Sequence, residues 1–219
     1  MYLIANIIVC VCALTGCNYG GIKFFRPKQA LYAQMITLSL GCIAYGRLFN
    51  IVRLLTDGNL TDHFQLGFLG VIGSLMFFFS TNFSAIDRQL DNGSKEFKKY
   101  RLIPLVAPGL FAVLYIVLFL LSDVSALWKI QGGVLTLFAM ASSYFNLKHL
   151  IIPDAESGIV KRMRLYNLLA LVYTAAIFAE CAAMSRSNEV LTLVCCCVSG
   201  LTTAAFIPSI TRGVAKWKT

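Results

Sequence analysis

Charge is what this sequence has least of. Asp, Glu, Lys and Arg make up 13% of the 219 residues while 58% are hydrophobic, too apolar a balance for a soluble domain, which would need more polar surface to face water. The chain therefore reads as a polytopic membrane protein. Histidine is almost missing: His63 falls in a connection and His149 near a helix end, which argues against haem held by two histidines across a bilayer. There is no H-E-x-x-H, no G-x-S-x-G and no glycine-rich phosphate loop, so no enzyme and no cofactor is expected. Cysteine is present but absent from the connections. Cys10, Cys12, Cys17, Cys42, Cys181, Cys195, Cys196 and Cys197 all lie in apolar runs, where they act as small apolar packing residues rather than a disulfide or redox framework.

What is there is a series of apolar runs. At about 20 residues per crossing, seven transmembrane helices are expected at 2–24, 30–54, 65–87, 102–122, 130–152, 164–185 and 190–212. They form a single all-α domain over 1–219 and leave whatever the protein does to the bundle or its partners. The formal charge of +9 would suggest nucleic acid in a soluble chain, but here its distribution matters more, and no nucleic-acid partner is expected. The connections after helices 1, 3 and 5 and the C-terminal end carry fifteen Lys and Arg residues, against three, Arg53, Lys129 and Arg186, on the other side. This bias places the N-terminus outside and the C-terminus in the cytoplasm, in a plasma (inner) membrane. The basic loop 88–101 faces anionic lipid headgroups or docks an acidic protein partner.

Several local patterns have plain readings. Leu14-Thr-Gly-Cys17 fits the residues before a lipidated cysteine, but no positive n-region precedes it. Asn59-Leu-Thr61 is a glycosylation sequon in an outer loop. Gly67, Gly70 and Gly73 lay a flat strip along helix 3, which favours close contact with a neighbouring helix. Pro104, Pro108 and Pro208 mark bends. Asp87 and Asp91, with Asp154 and Glu156, resemble the aspartate-rich pairs of membrane prenyltransferases. Five basic residues follow Asp87 before helix 4, the neutralising company that acids at a helix C-terminus need, and no metal site is assigned.

Two charges stand inside apolar runs: Arg47 in helix 2 and Glu180 in helix 6. A lone charge there costs at least a few kcal/mol, so each needs a partner or a task. Both sit five residues to the outer side of their helix centres, near Cys42 and Ala175, and equal depth makes them candidates for each other. Asn50 shares a face with Arg47, and Tyr173 and Tyr166 precede Glu180 by seven and fourteen residues. Arg47, Asn50, Tyr173 and Glu180 form a candidate binding site for a small polar ligand, or else a buried pair that sets helix register. Nearer the cytoplasm, Asn82, Tyr144, Asn146 and Asn167, with Ser80, Ser84 and Ser143, suggest an inner gate or simply interhelical hydrogen bonds.

Helices 1–3 and 5–7 also carry matching short patterns. Tyr19-Gly-Gly-Ile-Lys23 pairs with Tyr144-Phe-Asn-Leu-Lys148, and Lys28-Gln-Ala-Leu-Tyr32 with Arg162-Met-Arg-Leu-Tyr166. Ala85-Ile-Asp-Arg88 pairs with Ser209-Ile-Thr-Arg212. An internal duplication, 1–88 and 130–212 joined by a linking helix 102–122, would leave such pairs; so would positive-inside pressure alone. The resulting parallel 3+1+3 arrangement resembles in topology the SWEET-type sugar transporters, PQ-loop proteins and, more loosely, microbial rhodopsins. No motif accompanies it: Pro27-Lys-Gln29 has no equivalent after helix 5, and helix 7 has no mid-membrane Lys for retinal. The expectation is a small-solute transporter embedded in lipid, with a receptor or sensor input module and a structural or accessory subunit as alternatives.

Overall fold

The computed structural model describes residues 1–26, 30–58, 60, 65–83, 95–153 and 159–215, and among them there is no strand. Seven helical segments follow one another: α1 (Tyr2–Phe24), α2 (Leu31–Thr56), α3 (Gly67–Asn82), α4 (Lys95–Leu120), α5 (Ala126–Ile151), α6 (Ile159–Met184) and α7 (Glu189–Ala215). Asn59, Asp87, Asp91, Asp154, Glu156 and His63 lie outside the described residues.

Five of these segments are long and apolar enough to cross a membrane: α1, α2, α4, and most of α6 and α7. The two that differ do so for physical reasons. α3 has 16 residues, about 24 Å at the helical rise, and its expected end at 87 falls beyond the described residues. α5 is long enough but more polar, because Gln131, Thr136, Ser142, Ser143, Asn146, Lys148 and His149 are all buried along it. α4 starts earlier than expected and is irregular. Pro104 sits in a 3-10 turn, Ile103–Leu105, the helix Val106–Tyr115 follows, and Ile116–Leu120 closes as a π turn. The missing Pro104 and Pro108 N–H groups disrupt regular pairing in the first part of α4.

Burial is inverted relative to a water-soluble bundle. Ile8, Val11, Leu48, Leu110, Val117 and Leu201 face outward, while Asn6, Ser39, Ser74, Thr81, Asn82, Asn167 and Ser199 are fully buried. Apolar surface outside and polar groups inside is the pattern that hydrocarbon selects.

Helices α1, α2, α3, α5, α6 and α7 form a closed ring in that order, α7 returning to α1, and α4 packs outside it on α5. Across the ring α2 also touches α7 and α3 touches α6. α4 is held by aromatic rings and one clamp. Phe119 rests on Gly132 and against Phe178, with ring centroids 6.0 Å apart, and the Tyr115 hydroxyl donates to the Lys129 carbonyl at 3.1 Å. Arg186, just past α6, donates to the Leu118 carbonyl at 2.7 Å and to Ser122 Oγ at 2.8 Å. Arg53 follows Arg47 by six residues, as Arg186 follows Glu180, but pairs instead with Asp57 one turn on.

Two ends are closed by left-handed residues. Gly58 (φ 67°) follows α2, and Ser187 (φ 52°) follows α6, where the Asn188 and Ser187 amides return to the Ala183 and Met184 carbonyls. This is the paired-bond closure in which glycine is usual. Asn188 Oδ1 then caps α7 by accepting from the Leu191 amide at 3.0 Å.

The tightest seam joins α2 to α3. A Cβ on Gly70 would stand 2.5 Å from the Cys42 carbonyl oxygen and 2.6 Å from Gly46 Cα, and one on Gly46 would stand 2.7 Å from the Gly67 carbonyl oxygen. These are backbone atoms and cannot swing aside. The glycine strip is thus a helix contact, made against a glycine that immediately precedes Arg47. Gly70→Ala is expected to lower stability by about 1–3 kcal/mol through overpacking. Gly109→Ala, where a Cβ meets open space, should not. Thermal unfolding of both variants in detergent checks this; equal shifts would remove the seam's importance.

Candidate functional site

Arg47 and Glu180 meet. The guanidinium donates from Nη1 to Oε1 at 2.6 Å and from Nη2 to Oε2 at 2.7 Å, a two-pronged pair between α2 and α6. Both residues are almost wholly buried, at 3% and 4% exposure, so this pair gains little screening from solvent. The remaining Nη protons are also used. Nη1 donates to Asn6 Oδ1 at 3.2 Å and Nη2 to Ser199 Oγ at 2.9 Å. From α1, Tyr2 donates its hydroxyl to Glu180 Oε1 at 2.7 Å. Three groups from α1 and α7 thus surround one buried charge pair between α2 and α6, and the forked geometry of arginine suits it to this.

Tyr2, Asn6 and Ser199 were not singled out by the sequence reasoning. The one available signal was Asn6, an amide alone in an apolar stretch. A serine in an apolar helix carries no such mark, because it can return its proton to its own backbone, as Ser199 does to the Cys196 carbonyl at 2.9 Å.

Two cavities flank the pair. One, of about 20 Å³, is lined by Arg47, Asn50, Gln65, Phe68, Glu180 and Cys181 among others. The larger is a vestibule of about 740 Å³ at the end of the bundle where α1 begins, between Tyr2, Leu54, Leu60, Met184, Glu189 and Leu193. Tyr2 and Met184 are its floor, and the Tyr2 hydroxyl also lies 3.7 Å from Met184 Sδ. The vestibule therefore stops one side chain short of Glu180.

Asn50 lies against Gly67, where a Cβ would come within 2.2 Å of its Oδ1. Tyr173 does not line either cavity. It is fully buried deeper in the bundle, edge-on to Phe78 at 5.5 Å and to Phe206 at 6.3 Å. Tyr166 completes this aromatic layer, 6.1 Å from Phe78, with its hydroxyl donating to the Phe78 carbonyl at 3.3 Å.

Toward the opposite end, three of the four inner candidates come together. Asn82 Nδ2 donates to Asn146 Oδ1 at 2.8 Å and to Asn167 Oδ1 at 2.9 Å, joining α3, α5 and α6, and all three residues are fully buried. Asn146 in turn donates to the Ser142 carbonyl at 2.7 Å. Tyr144 stands apart: its hydroxyl donates to the Arg101 carbonyl in α4 at 3.2 Å. Two residues along a helix are about 200° around it, so Tyr144 and Asn146 face opposite ways.

No protein-family model, curated protein or solved structure matches the chain, and the site is read from its own geometry. Arg47→Leu or Glu180→Leu alone should destabilise by about 3–5 kcal/mol, because each strands a buried charge. The double variant should recover much of that loss. A denaturation double-mutant cycle measures it, and a double variant no better than the worse single one would mean that the charges do not support each other. Asn82→Leu should cost less, about 0.6–1.7 kcal/mol, the range of hydrogen bonds between membrane helices; a larger loss in the same assay would show a more strongly coupled network.

Proposed function

We propose that the chain is a small multi-pass membrane transporter, closed in this conformation, that admits a small polar solute from the outer face. The observation that carries this reading is the vestibule whose floor, Tyr2, is hydrogen-bonded to the buried Glu180. A solute that displaces Tyr2 reaches a carboxylate and a guanidinium held for each other, and then Asn50. Further in lie the aromatic layer with Tyr173 and the neutral inner layer of Asn82, Asn146 and Asn167, about 20 Å beyond Glu180 at the helical rise along α6. Two polar layers separated by an apolar one suit alternating access.

The orientation follows the charge bias, with the vestibule outside, the loop 88–101 and the C-terminal end in the cytoplasm, and lipid against the outward apolar faces. The ring supports the duplication that such a transporter would use. Exchanging α1, α2 and α3 with α5, α6 and α7 leaves the ring neighbours unchanged and swaps the α2–α7 contact with the α3–α6 contact. Arg47 and Glu180 face each other across that exchange.

One observation favours a second reading, a structural or accessory subunit. The terminal nitrogens of Arg47 and both oxygens of Glu180 are already occupied by protein groups, as a register lock would have them. Uptake of labelled small polar solutes into proteoliposomes separates the two. Transport requires saturable uptake of at least one solute, a rate changed severalfold by Tyr2→Phe, and loss in the Arg47→Leu/Glu180→Leu double variant. A folded protein that moves none of the panel and purifies with another membrane protein would establish the accessory role instead.

A further inference from the structure

We propose that the small cavity between Arg47 and Asn50 is a hydration site for one water molecule, which accepts a hydrogen bond from the Arg47 Nε–H and donates one to Asn50 Oδ1. Arginine has five N–H donors. Four are matched, two to Glu180 and one each to Asn6 and Ser199. The fifth, on Nε, has no partner among the described residues, and neither has Asn50 Oδ1. Both residues are more than nine-tenths buried and both line the same cavity. Leaving either group unsatisfied would cost about 1–3 kcal/mol.

The volume decides the occupant. At about 20 Å³ the cavity passes the roughly 10–15 Å³ that one water needs and is too small for a second. Its polarity decides the chemistry. A cation would meet the Nε–H of an arginine, and an anion would meet Asn50 Oδ1 and the Glu180 carboxylate. A group that both accepts and donates fits, and water is the smallest. The room exists because α3 presents Gly67 to the Asn50 amide, where a Cβ would lie 2.2 Å from Oδ1. With this water every polar atom of the guanidinium is satisfied, whichever of the two functional readings holds.

Radiolytic hydroxyl labelling of the full chain in nanodiscs tests the site, because a buried thiol is modified only where bound water supplies the radical. Cys181 lines the cavity and Cys196 does not, and both are fully buried. Cys181 should be labelled severalfold faster than Cys196. Asn50→Leu, which fills the cavity, should abolish that difference, and Asn50→Ala, which enlarges it, should keep it. Equal labelling of the two cysteines, or a difference indifferent to Asn50→Leu, overturns the proposal. So does an anomalous bromide peak between Arg47 and Asn50 in crystals grown with bromide, which would make the occupant an anion.

Discussion

A guanidinium buried among apolar helices is stable only if its charge is balanced and its protons are accepted, and the ring is arranged around that demand. Arg47 takes its countercharge from α6, a carbonyl oxygen from Asn6 on α1 and a hydroxyl from Ser199 on α7. On the other side of its own helix, Gly46 lets α3 press against the backbone beside it. Replacing such a pair by apolar side chains is often neutral for stability. The pair is therefore weak evidence for cohesion, although it ties α2 to α6 at one depth.

The two polar layers differ in kind. Around Arg47 the bonds are charge-assisted, and opening them without a substitute leaves two ions in a poorly polarisable medium. The Asn82, Asn146 and Asn167 layer is neutral, and its bonds are of the modest strength found between membrane helices. Between them Phe78, Tyr166, Tyr173 and Phe206 exclude water. Parting α3 from α6 breaks a bond of the weaker layer, whereas the stronger layer yields only when α2 parts from α6. The neutral layer therefore separates more cheaply than the charged one.

Much of this was legible in the sequence because hydrocarbon permits few arrangements. Arg47 and Glu180 announced each other by equal depth, and Gly67 and Gly70 announced a close seam by their spacing. Asn82, Asn146 and Asn167 were recoverable as buried amides. What escaped depends on how each helix is turned about its axis, which a run of apolar residues does not record. Tyr2 and Ser199 belong to the pair only because α1 and α7 are rotated toward it. Tyr144 was grouped with Asn146 by proximity along the chain, although two residues point to opposite sides of a helix. The place of α4 outside the ring agrees with the linking helix expected at 102–122, and its composition, the most apolar of the five spans, fits a helix with few buried neighbours.

The pair closes a loop of 133 residues, and the chain is made from one end. At synthesis rates of about 5–20 residues per second, Arg47 exists for roughly 7–27 s before Glu180 has been made. The acceptor Asn6 is already there, but the neutralising carboxylate and Ser199 are not. During that interval α2 carries an unbalanced charge, which in an apolar medium costs a few kcal/mol. The chemistry that locks the finished ring is therefore complete only once α6 and α7 have been made.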